Sequence, residues 1–356
     1  VNAELYTSLL NSAQQLRLVK EGKVGNVRVV DPAVTPEDPV RPRKPVVLAV
    51  AGLLGLMLGV ALAFFRNSLR PGIRDAADIE AVTGLPVFAT VPHSMAQDVL
   101  QKQIKEKKKG QHVLAVNHPH DPGVESLRSL RTALQFAMLE ATNNVVLFTG
   151  PTPGLGKSFT SVNFAAVMGM GGKRVLLIDA DLRKGHIHQY FGVERGRGLS
   201  ELVTGSLPLD KVVCRAVSPN VDLITTGILP PNPGELLLSG ALTELLQRLG
   251  DQYDLILIDT PPVLAVSDSQ VLASHAGTVF MVARAEVTTL GELQESTKRL
   301  AQTGVQVKGV IFNDLDTSKN RYRYGYGYKY SRYRYTNYQY GSVGSSSSAP
   351  RSSSKP

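Results

Sequence analysis

The chain has 356 residues, of which 43% are apolar, which is enough for one core of ordinary domain size with additional segments. Its formal net charge is +9, but eight Lys and Arg residues follow residue 316 without any acid, so the excess positive charge belongs to the end of the chain and not to a folded surface. The single cysteine excludes an intramolecular disulfide, and no Cys and His cluster has the spacing of a structural zinc site.

The first segment, residues 1–44, has a helical pattern followed by a proline-rich stretch. Five prolines occur in the fifteen residues from Asp31 to Pro45, which predicts an extended stalk. The chain begins with Val, and its first residues have the pattern of the middle of a helix. We therefore expect a fragment whose N-terminal part is missing.

The second segment is an apolar run. Val46 to Phe65 is a stretch of twenty residues without a charge, about the ~20 that a helix needs to cross a bilayer, so the sequence predicts a transmembrane helix over residues 45–66. The alternative is a helix buried in a soluble core, but such helices rarely lack every polar side chain. Basic residues flank both ends of the run, so the charges do not indicate its orientation.

Residues 67–118 are interpreted as a juxtamembrane linker. Within it, residues 75–92 have the pattern of a short helix and a strand, and residues 101–110 are basic with a helical pattern. This basic stretch fits either a segment that lies against anionic lipid headgroups or a solvated spacer. The sequence does not separate these two interpretations.

Residues 119–316 alternate apolar strand-type runs with helical patterns. Most of the strand-type runs are continuous in Val, Ile, Leu and Phe, as expected of parallel strands covered on both faces. The predicted strands are VVLFTG, RVLLIDAD, VDLIT, DLILIDT, GTVFMVAR and VKGVIFND. We expect an α/β domain of the P-loop NTPase type, with a doubly wound, mostly parallel sheet and a ligand site at the carboxyl ends of its strands.

A strand, a loop of Gly and Pro, and a helix follow one another in VVLFTGPTPGLGKSFTSVNFAAVMG. This order is typical of a phosphate-binding loop, in which Gly154 and Gly156 free the backbone N–H groups for phosphate, Lys157 reaches the outer phosphates and Ser158 offers a hydroxyl to Mg²⁺. Five residues separate Gly150 from Gly156 where the usual pattern has four, so the loop is a variant. The predicted ligands are a nucleotide and Mg²⁺.

Three acids at strand ends accompany this loop. Asp179 and Asp181 follow one buried strand and Asp259 ends another. Because unpaired carboxylates are costly at the mouth of an apolar strand, we expect Mg²⁺ to be held by Ser158 together with Asp259 or Asp181. Asp179 is the preferred general base, although Asp179 and Asp181 are interchangeable on sequence grounds, and Asp181 alone could also be a helix cap. Asn313, at the end of the last strand, fits either an adenine contact or a turn residue.

Residues 317–356 are predicted to be a disordered tail that is rich in Tyr and then in Ser. Nine of the twelve tyrosines of the chain lie between Arg321 and Tyr340, among basic residues. Accessible phenols beside Arg and Lys, which can pair with phosphates already added, form a good substrate for phosphorylation. The candidate sites are Tyr322, Tyr324, Tyr326, Tyr328, Tyr330, Tyr333, Tyr335, Tyr338 and Tyr340.

The motifs GPTPGLGKS, LLIDADLR and LILIDTPP, followed by the tyrosine cluster, closely resemble those of the bacterial tyrosine autokinases of exopolysaccharide assembly, the BY-kinases fused to a polysaccharide co-polymerase. This resemblance covers nearly the whole chain. It implies that residues 1–44 are the end of a periplasmic co-polymerase domain. It also implies a kinase domain in the cytoplasm at the bacterial inner membrane.

The stretch ESLRSLR matches a further motif of the family, with Glu125, Arg128 and Arg131 on one face of a helix. In the family this motif builds a ring of kinase domains, in which each tail enters the active site of the next subunit. The resemblance therefore implies a homo-oligomer. The alternative is an exposed helix with ion pairs inside it.

The function implied by the resemblance is ATP-dependent phosphorylation of the tyrosine cluster in trans, which regulates exopolysaccharide polymerisation and export. The expected partners are the inner membrane, the export machinery and a tyrosine phosphatase. The alternatives are a membrane-anchored co-polymerase ATPase without kinase activity and a partition or septum-positioning ATPase, which lacks the membrane span and the tyrosine tail. Basic and aromatic residues alternate in the tail as in a nucleic-acid stacking platform, but the span and the loop argue against that role, and no nucleic acid is expected.

Overall fold

The computed structural model describes residues 2–22, 43–68 and 72–316. The chain divides into two compact units, Val1–Leu69 and Arg70–Pro356. Most of the predicted proline-rich stalk and the whole tyrosine-rich tail lie outside the described residues.

The first unit contains two helices, α1 (Asn2–Gly22) and α2 (Lys44–Ser68). Residues Lys44–Phe65 of α2 are long and apolar enough to cross a membrane, and no other helix in the described parts of the chain meets that test of length and composition. The position of this helix agrees with the transmembrane helix predicted over residues 45–66.

The second unit is built on one sheet of eight strands in the order β1-β8-β7-β2-β6-β3-β5-β4. All neighbouring strands are parallel except β4, which pairs with β5 in the antiparallel direction. The strands are β1 (Val87–Pro92), β2 (Val145–Thr149), β3 (Val175–Asp179), β4 (Cys214–Ser218), β5 (Val221–Ile224), β6 (Leu255–Asp259), β7 (Thr278–Arg284) and β8 (Val307–Leu315). The predicted doubly wound, mostly parallel sheet is confirmed.

Twelve helices accompany this sheet in the described part of the second unit. They are α3 (Ala76–Thr83), α4 (Met95–Lys105), α5 (Leu114–Asn117), α6 (Pro122–Ala137), α7 (Lys157–Met170), α8 (Ile187–Phe191), α9 (Leu199–Val203), α10 (Leu209–Val212), α11 (Pro233–Leu237), α12 (Gly240–Gly250), α13 (Asp268–Ala273) and α14 (Leu290–Gln302). Helices α4 to α8 contribute to one apolar cluster, and α3 and α9 to α14 contribute to the other.

Alternate residues of the central strands point into these two clusters. In β2, Val145 and Leu147 belong to one cluster, and Val146 and Phe148 belong to the other. Every residue of β2, β3 and β6 is buried, so these strands need an apolar side chain at nearly every position. This is why continuous apolar runs predicted these three strands.

Residues 72–118 differ from the predicted linker, because they contribute to the sheet and to its helical layers. Strand β1 pairs in parallel with β8, and the backbone N–H of His93 donates to the carbonyl of Leu315 over 3.0 Å. Ile79 of α3 and Leu100 of α4 are buried in the two clusters. The predicted boundary at residue 119 therefore falls inside the second unit, because β1 extends the sheet beyond β8.

A row of aromatic side chains connects α7 with the edge of the sheet. The ring centroids of Phe164 and Phe148 lie 5.7 Å apart, those of Phe148 and Phe280 6.0 Å, and those of Phe280 and Phe88 5.3 Å. Such aromatic pairs add stabilisation beyond the area that they bury. The row joins the phosphate-loop helix, two central strands and β1 in one packed layer.

Replacement of Phe280 by Ala tests this row. We expect Phe280→Ala to lower the free energy of unfolding by about 3–5 kcal/mol, because it leaves a cavity between β1 and β2 side chains. The control is Phe136→Ala, at a side chain that is 69% exposed, for which we expect a change below about 0.5 kcal/mol. Urea unfolding followed by circular dichroism measures both, and equal losses would contradict the packing described.

Candidate active site

The loop between β2 and α7 has a backbone that requires glycine. Gly154 and Gly156 have φ angles of 79° and 90°, in the left-handed region. A Cβ on Gly156 would lie 2.1 Å from Nδ2 of Asn313. No side chain caps the N-terminus of α7, so its first N–H groups are left for another acceptor. This cradle fits a phosphate group, which binds at such N-termini.

Lys157 is the first residue of α7 and is buried, with 9% of its surface exposed. Burial lowers the pKa of Lys157, and the charges of Asp259 and Asp181 act in the opposite direction. A buried ammonium is stable only beside negative charge. The environment of Lys157 therefore fits the binding of an anion such as a phosphate.

Asp259, at the end of β6, is held by two hydroxyl groups of α7. Ser158 Oγ donates to Asp259 Oδ2 over 2.5 Å, and Ser161 Oγ donates to Oδ1 over 3.0 Å. Burial raises the pKa of Asp259, and the hydrogen bond from Ser158 opposes this shift. Ser161 was not predicted, although it lies three residues after Ser158 and so on the same face of the helix.

Asp179 ends β3 directly beside Asp259, with which it is in register. Its Oδ2 accepts from the backbone N–H of Ile187 over 2.9 Å. Burial and the nearby charge of Asp259 raise the pKa of Asp179 well above its ordinary value. A Cβ on Gly185 would lie 2.8 Å from both Asp179 carboxylate oxygens, so the loop after β3 closes tightly over this acid.

Asp181 is half-buried and shapes the turn that follows β3. Its Oδ1 accepts from the backbone N–H groups of Arg183 over 3.2 Å and of Lys184 over 3.0 Å. It does not cap a helix, because α8 begins only at Ile187. The environments of Asp179 and Asp181 therefore differ, which the sequence did not show.

A cavity of about 540 Å³ opens at this end of the sheet. Five predicted residues line it, namely Gly154, Gly156, Lys157, Ser158 and Asn313. The three aspartates are not among its lining residues, and Asp259 contacts it through Ser158.

The described residues contain no group of three or more His, Cys, Asp or Glu that could hold a metal ion. Mg²⁺ in phosphate-binding sites uses one or two protein carboxylates plus phosphate oxygens, so the pair of Ser158 and Asp259 is a suitable donor set.

Asn313 is buried and supports the loop. Its Nδ2 donates to the carbonyl of Leu155 over 3.0 Å. Its amide nitrogen is therefore engaged with the loop backbone, a contact that the sequence did not predict. The side chain lines the cavity as well, so it stays a candidate for contact with a nucleotide.

An ion-pair network missed by sequence reasoning joins the loop to β8 and β1. Arg284 Nη1 donates to the carbonyl of Gly154 over 3.0 Å, and its Nε donates to Asp314 Oδ2 over 2.8 Å. Nδ1 of His93 lies 2.7 Å from Asp314 Oδ1, and this hydrogen bond raises the pKa of His93. Arg284 and Asp314 lie near the carboxyl ends of β7 and β8, and this position was the only signal in the sequence.

The predicted interface residues lie on α6 and not at the cavity. Glu125, Arg128 and Arg131 are each partly exposed, and Glu125 forms an ion pair with Arg128 inside the helix. This ion pair is the one expected of the alternative interpretation, and the contact with a neighbouring subunit stays a prediction. The nine candidate tyrosines lie outside the described residues.

Comparisons with known proteins identify two families and a set of relatives. Residues 1–68 match a family described as the G-rich domain on putative tyrosine kinase, and residues 144–308 match an AAA domain. The putative tyrosine-protein kinase EpsB of Ralstonia nicotianae is 57% identical over 322 residues, which are 90% of this chain and 43% of that protein. The chain thus spans less than half the length of this curated relative.

Two solved structures cover most of the second unit. The BceF tyrosine kinase domain superposes with a TM-score of 0.64 at 45% identity, covering 68% of this chain and 99% of that one. The kinase domain of the Escherichia coli tyrosine kinase ETK superposes with a TM-score of 0.65 at 42% identity, covering 71% of this chain and 99% of that one. With these kinase domains matched over nearly their full length, the chain belongs to the bacterial tyrosine kinase (BY-kinase) family.

Proposed function

We propose that the protein is an ATP-dependent protein tyrosine kinase that phosphorylates the tyrosine cluster of a neighbouring copy. The observation that carries this proposal is the buried pair of Ser158 and Asp259 beside Lys157 at an uncapped helix N-terminus. The tyrosine kinase domains that match the second unit support the choice of kinase over a co-polymerase ATPase without kinase activity. Phosphorylation would regulate exopolysaccharide polymerisation and export, as in the family.

In this proposal the loop and α7 bind the triphosphate. Backbone N–H groups from Gly154 to Ser158 surround the phosphates, and Lys157 contacts the outer ones. Ser158 with Asp259 or Asp181 would hold Mg²⁺, which neutralises the charge of the phosphate oxygens when bound. Transfer then forms a bond between the tyrosine oxygen and the γ-phosphorus and releases ADP.

Asp179 is the proposed general base. It would take the phenolic proton of the attacking tyrosine, and burial together with the charge of Asp259 raises its pKa and so makes its carboxylate a stronger base. Asp181 is the alternative base, since it is closer to solvent. A comparison of Asp179→Asn with Asp181→Asn in the assay below separates these two roles.

The substrate tyrosines are the nine between Tyr322 and Tyr340. Each phosphate adds roughly −1.5 to −2 charges at neutral pH. Several phosphates would therefore make the basic tail strongly negative and weaken its attraction to neighbouring subunits or to lipid. A tyrosine phosphatase would reset this state.

We also propose that Glu125, Arg128 and Arg131 contact the next subunit of a ring, and that α2 anchors the protein in the bacterial inner membrane. ATP is cytosolic, so the second unit would lie in the cytoplasm and the segment before α2 in the periplasm. The polysaccharide export machinery would be the remaining partner. No nucleic acid is part of this proposal.

Replacement of Lys157 tests the kinase activity directly. We expect Lys157→Ala to lower phosphotyrosine formation with Mg-ATP by about 100-fold or more, because the outer phosphates lose their buried cation. Anti-phosphotyrosine blotting measures the product. The matched control is Lys173→Ala, an exposed lysine after the other end of α7, which should retain wild-type labelling. Equal labelling in all three proteins would exclude this site as the kinase centre.

The raised pKa of Asp179 predicts a dependence of stability on pH. Between the unfolded-state pKa of about 4 and the raised folded-state pKa, the folded protein binds more protons, so stability decreases as pH rises through this range. Without nucleotide, we expect Asp179→Asn to flatten the decrease of the melting temperature as pH rises above about 4, and to raise the melting temperature relative to the wild type at the upper end of that range. Scanning calorimetry measures both. Asp251→Asn, at an exposed acid, should leave the profile as in the wild type, and an unchanged profile for Asp179→Asn would contradict the assignment.

A mixing experiment tests phosphorylation in trans. The acceptor is the Lys157→Ala chain with a size tag, and the donor is the wild-type chain. We expect Arg131→Glu in the donor and acceptor to lower acceptor labelling at least about tenfold, since repulsion in an interface costs on the order of a few kcal/mol. The control is Lys298→Glu, on α14 at the other face of the sheet, which should leave acceptor labelling as in the wild type.

An acceptor with all nine tail tyrosines changed to Phe should remain unlabelled. Labelling of that acceptor would contradict the assignment of the tail tyrosines as the substrate. Full labelling of the Arg131→Glu proteins would contradict the proposed interface. Light scattering of each variant reports the oligomeric state in the same samples.

A further inference from the structure

Two adjacent peptide groups of the phosphate loop are held by side chains from the sheet. The carbonyl of Gly154 accepts from Arg284 Nη1 over 3.0 Å, and the carbonyl of Leu155 accepts from Asn313 Nδ2 over 3.0 Å. A trans peptide is planar, with its C=O and N–H groups on opposite sides. The two contacts therefore turn the N–H groups of Leu155 and Gly156 away from the side chains that hold the carbonyls.

These two N–H groups have no hydrogen-bond acceptor within residues 72–316. They come immediately before the first N–H groups of α7, whose N-terminus has no side-chain cap. Successive backbone N–H groups without an internal acceptor form a concave site for an anion. The orientation of the peptide groups after Gly154 and Leu155 therefore bears directly on phosphate binding.

The direction of the Arg284 side chain is set by Asp314. Asp314 Oδ2 accepts from Arg284 Nε over 2.8 Å and lies 2.6 Å from Nη2. Because the guanidinium group is planar and rigid, a carboxylate on its Nε and Nη2 edge determines where Nη1 points. The Arg284 side chain is 41% exposed, so without this ion pair it could turn into solvent.

Asp314 is itself held in an uncommon conformation. Its φ angle is 61°, in the left-handed region, which a residue other than glycine keeps where the surrounding structure requires it. Its second carboxylate oxygen, Oδ1, lies 2.7 Å from Nδ1 of His93. Both oxygens of Asp314 are thus engaged, one with Arg284 and the other with the residue that follows β1.

We propose that Asp314 and Arg284 are positioning residues for phosphate binding. Asp314 directs Arg284, and Arg284 holds the peptide group after Gly154 so that the N–H of Leu155 is turned toward a phosphate before the ligand arrives. The inference rests on the proposed function, in which this loop binds the phosphates of the nucleotide. An orientation that is already set raises affinity, because less of the binding energy is used in ordering the loop.

The charge of Asp314 gives this inference a distinctive sign. Asp314 lines the cavity, and a carboxylate near a polyanion weakens its binding if charge alone is considered. Removal of the charge would then tighten phosphate binding. If Asp314 acts by directing Arg284, removal of the charge weakens phosphate binding instead.

Replacement of Asp314 by Asn tests the sign. Asn keeps the size of the side chain and tolerates the left-handed backbone. We expect Asp314→Asn to weaken the binding of both Mg-ADP and Mg-tripolyphosphate about three- to fivefold, measured by titration calorimetry on the full chain in detergent. The comparison is Asp98→Asn, which removes the same charge from the cavity wall but from an ion pair with His93. It should bind both ligands as tightly as the wild type or more tightly.

Replacement of Arg284 by Lys tests the second step. Lys keeps the positive charge, but a single ammonium group cannot reproduce the fork that contacts both Asp314 and Gly154. We expect Arg284→Lys to weaken the binding of both ligands about five- to tenfold. Asp314→Asn added to Arg284→Lys should weaken binding further by less than about twofold, since Asp314 acts through Arg284. The melting temperature of each variant without ligand reports its folding.

Unchanged or tighter binding by Asp314→Asn would overturn the inference, and so would an equal loss for Asp98→Asn. Wild-type binding by Arg284→Lys, or losses that add in the double variant, would overturn it as well. If Asp314→Asn fails to fold, Arg284→Lys at the partly exposed arginine still decides. A wild-type chain that binds neither ligand would overturn the proposed function, and this inference with it.

Discussion

The site depends on two neighbouring carboxylates buried at the ends of parallel strands. Asp179 and Asp259 lie side by side at the ends of β3 and β6. Lys157, on α7, lines the neighbouring cavity. Burial raises the pKa of both acids and lowers that of the lysine, so each charge is costly alone. Hydroxyl groups of Ser158 and Ser161 hold Asp259 in place. A bound cation would therefore stabilise the two carboxylates, and a bound polyanion would stabilise the lysine.

The rest of the second unit keeps this set in position. Asn313 supports the loop from β8, and Arg284 supports it from β7. Strand β1 extends the sheet beyond β8, and α4, which follows it, encloses the cavity. The segment from residue 72 to residue 118 is thus a structural part of the second unit.

Much of this arrangement could be predicted from the sequence, because it follows local patterns. Burial on both faces of the sheet explains the apolar runs of β2, β3 and β6, and the left-handed backbone explains the glycines of the loop. Strand β4 was missed because it carries the exposed Arg215 and contains Ala216 in a left-handed conformation, so no continuous apolar run marks it. The contacts of Arg284 with Gly154 and of His93 with Asp314 join residues more than a hundred positions apart, which no local pattern encodes.

The parallel direction of the strands has a consequence for the chain that leaves the sheet. Strand β8 runs parallel to β7 and β2, so it ends at Leu315 on the same rim as the loop that follows Thr149. The polypeptide after Leu315 is therefore covalently attached beside the cavity. A tether sets an effective concentration that does not change when the protein is diluted. Inside an assembly, access of the tail to a cavity would then depend on the length of the tail and on the distance between subunits. The concentration of the protein in the cell would affect only the formation of the assembly.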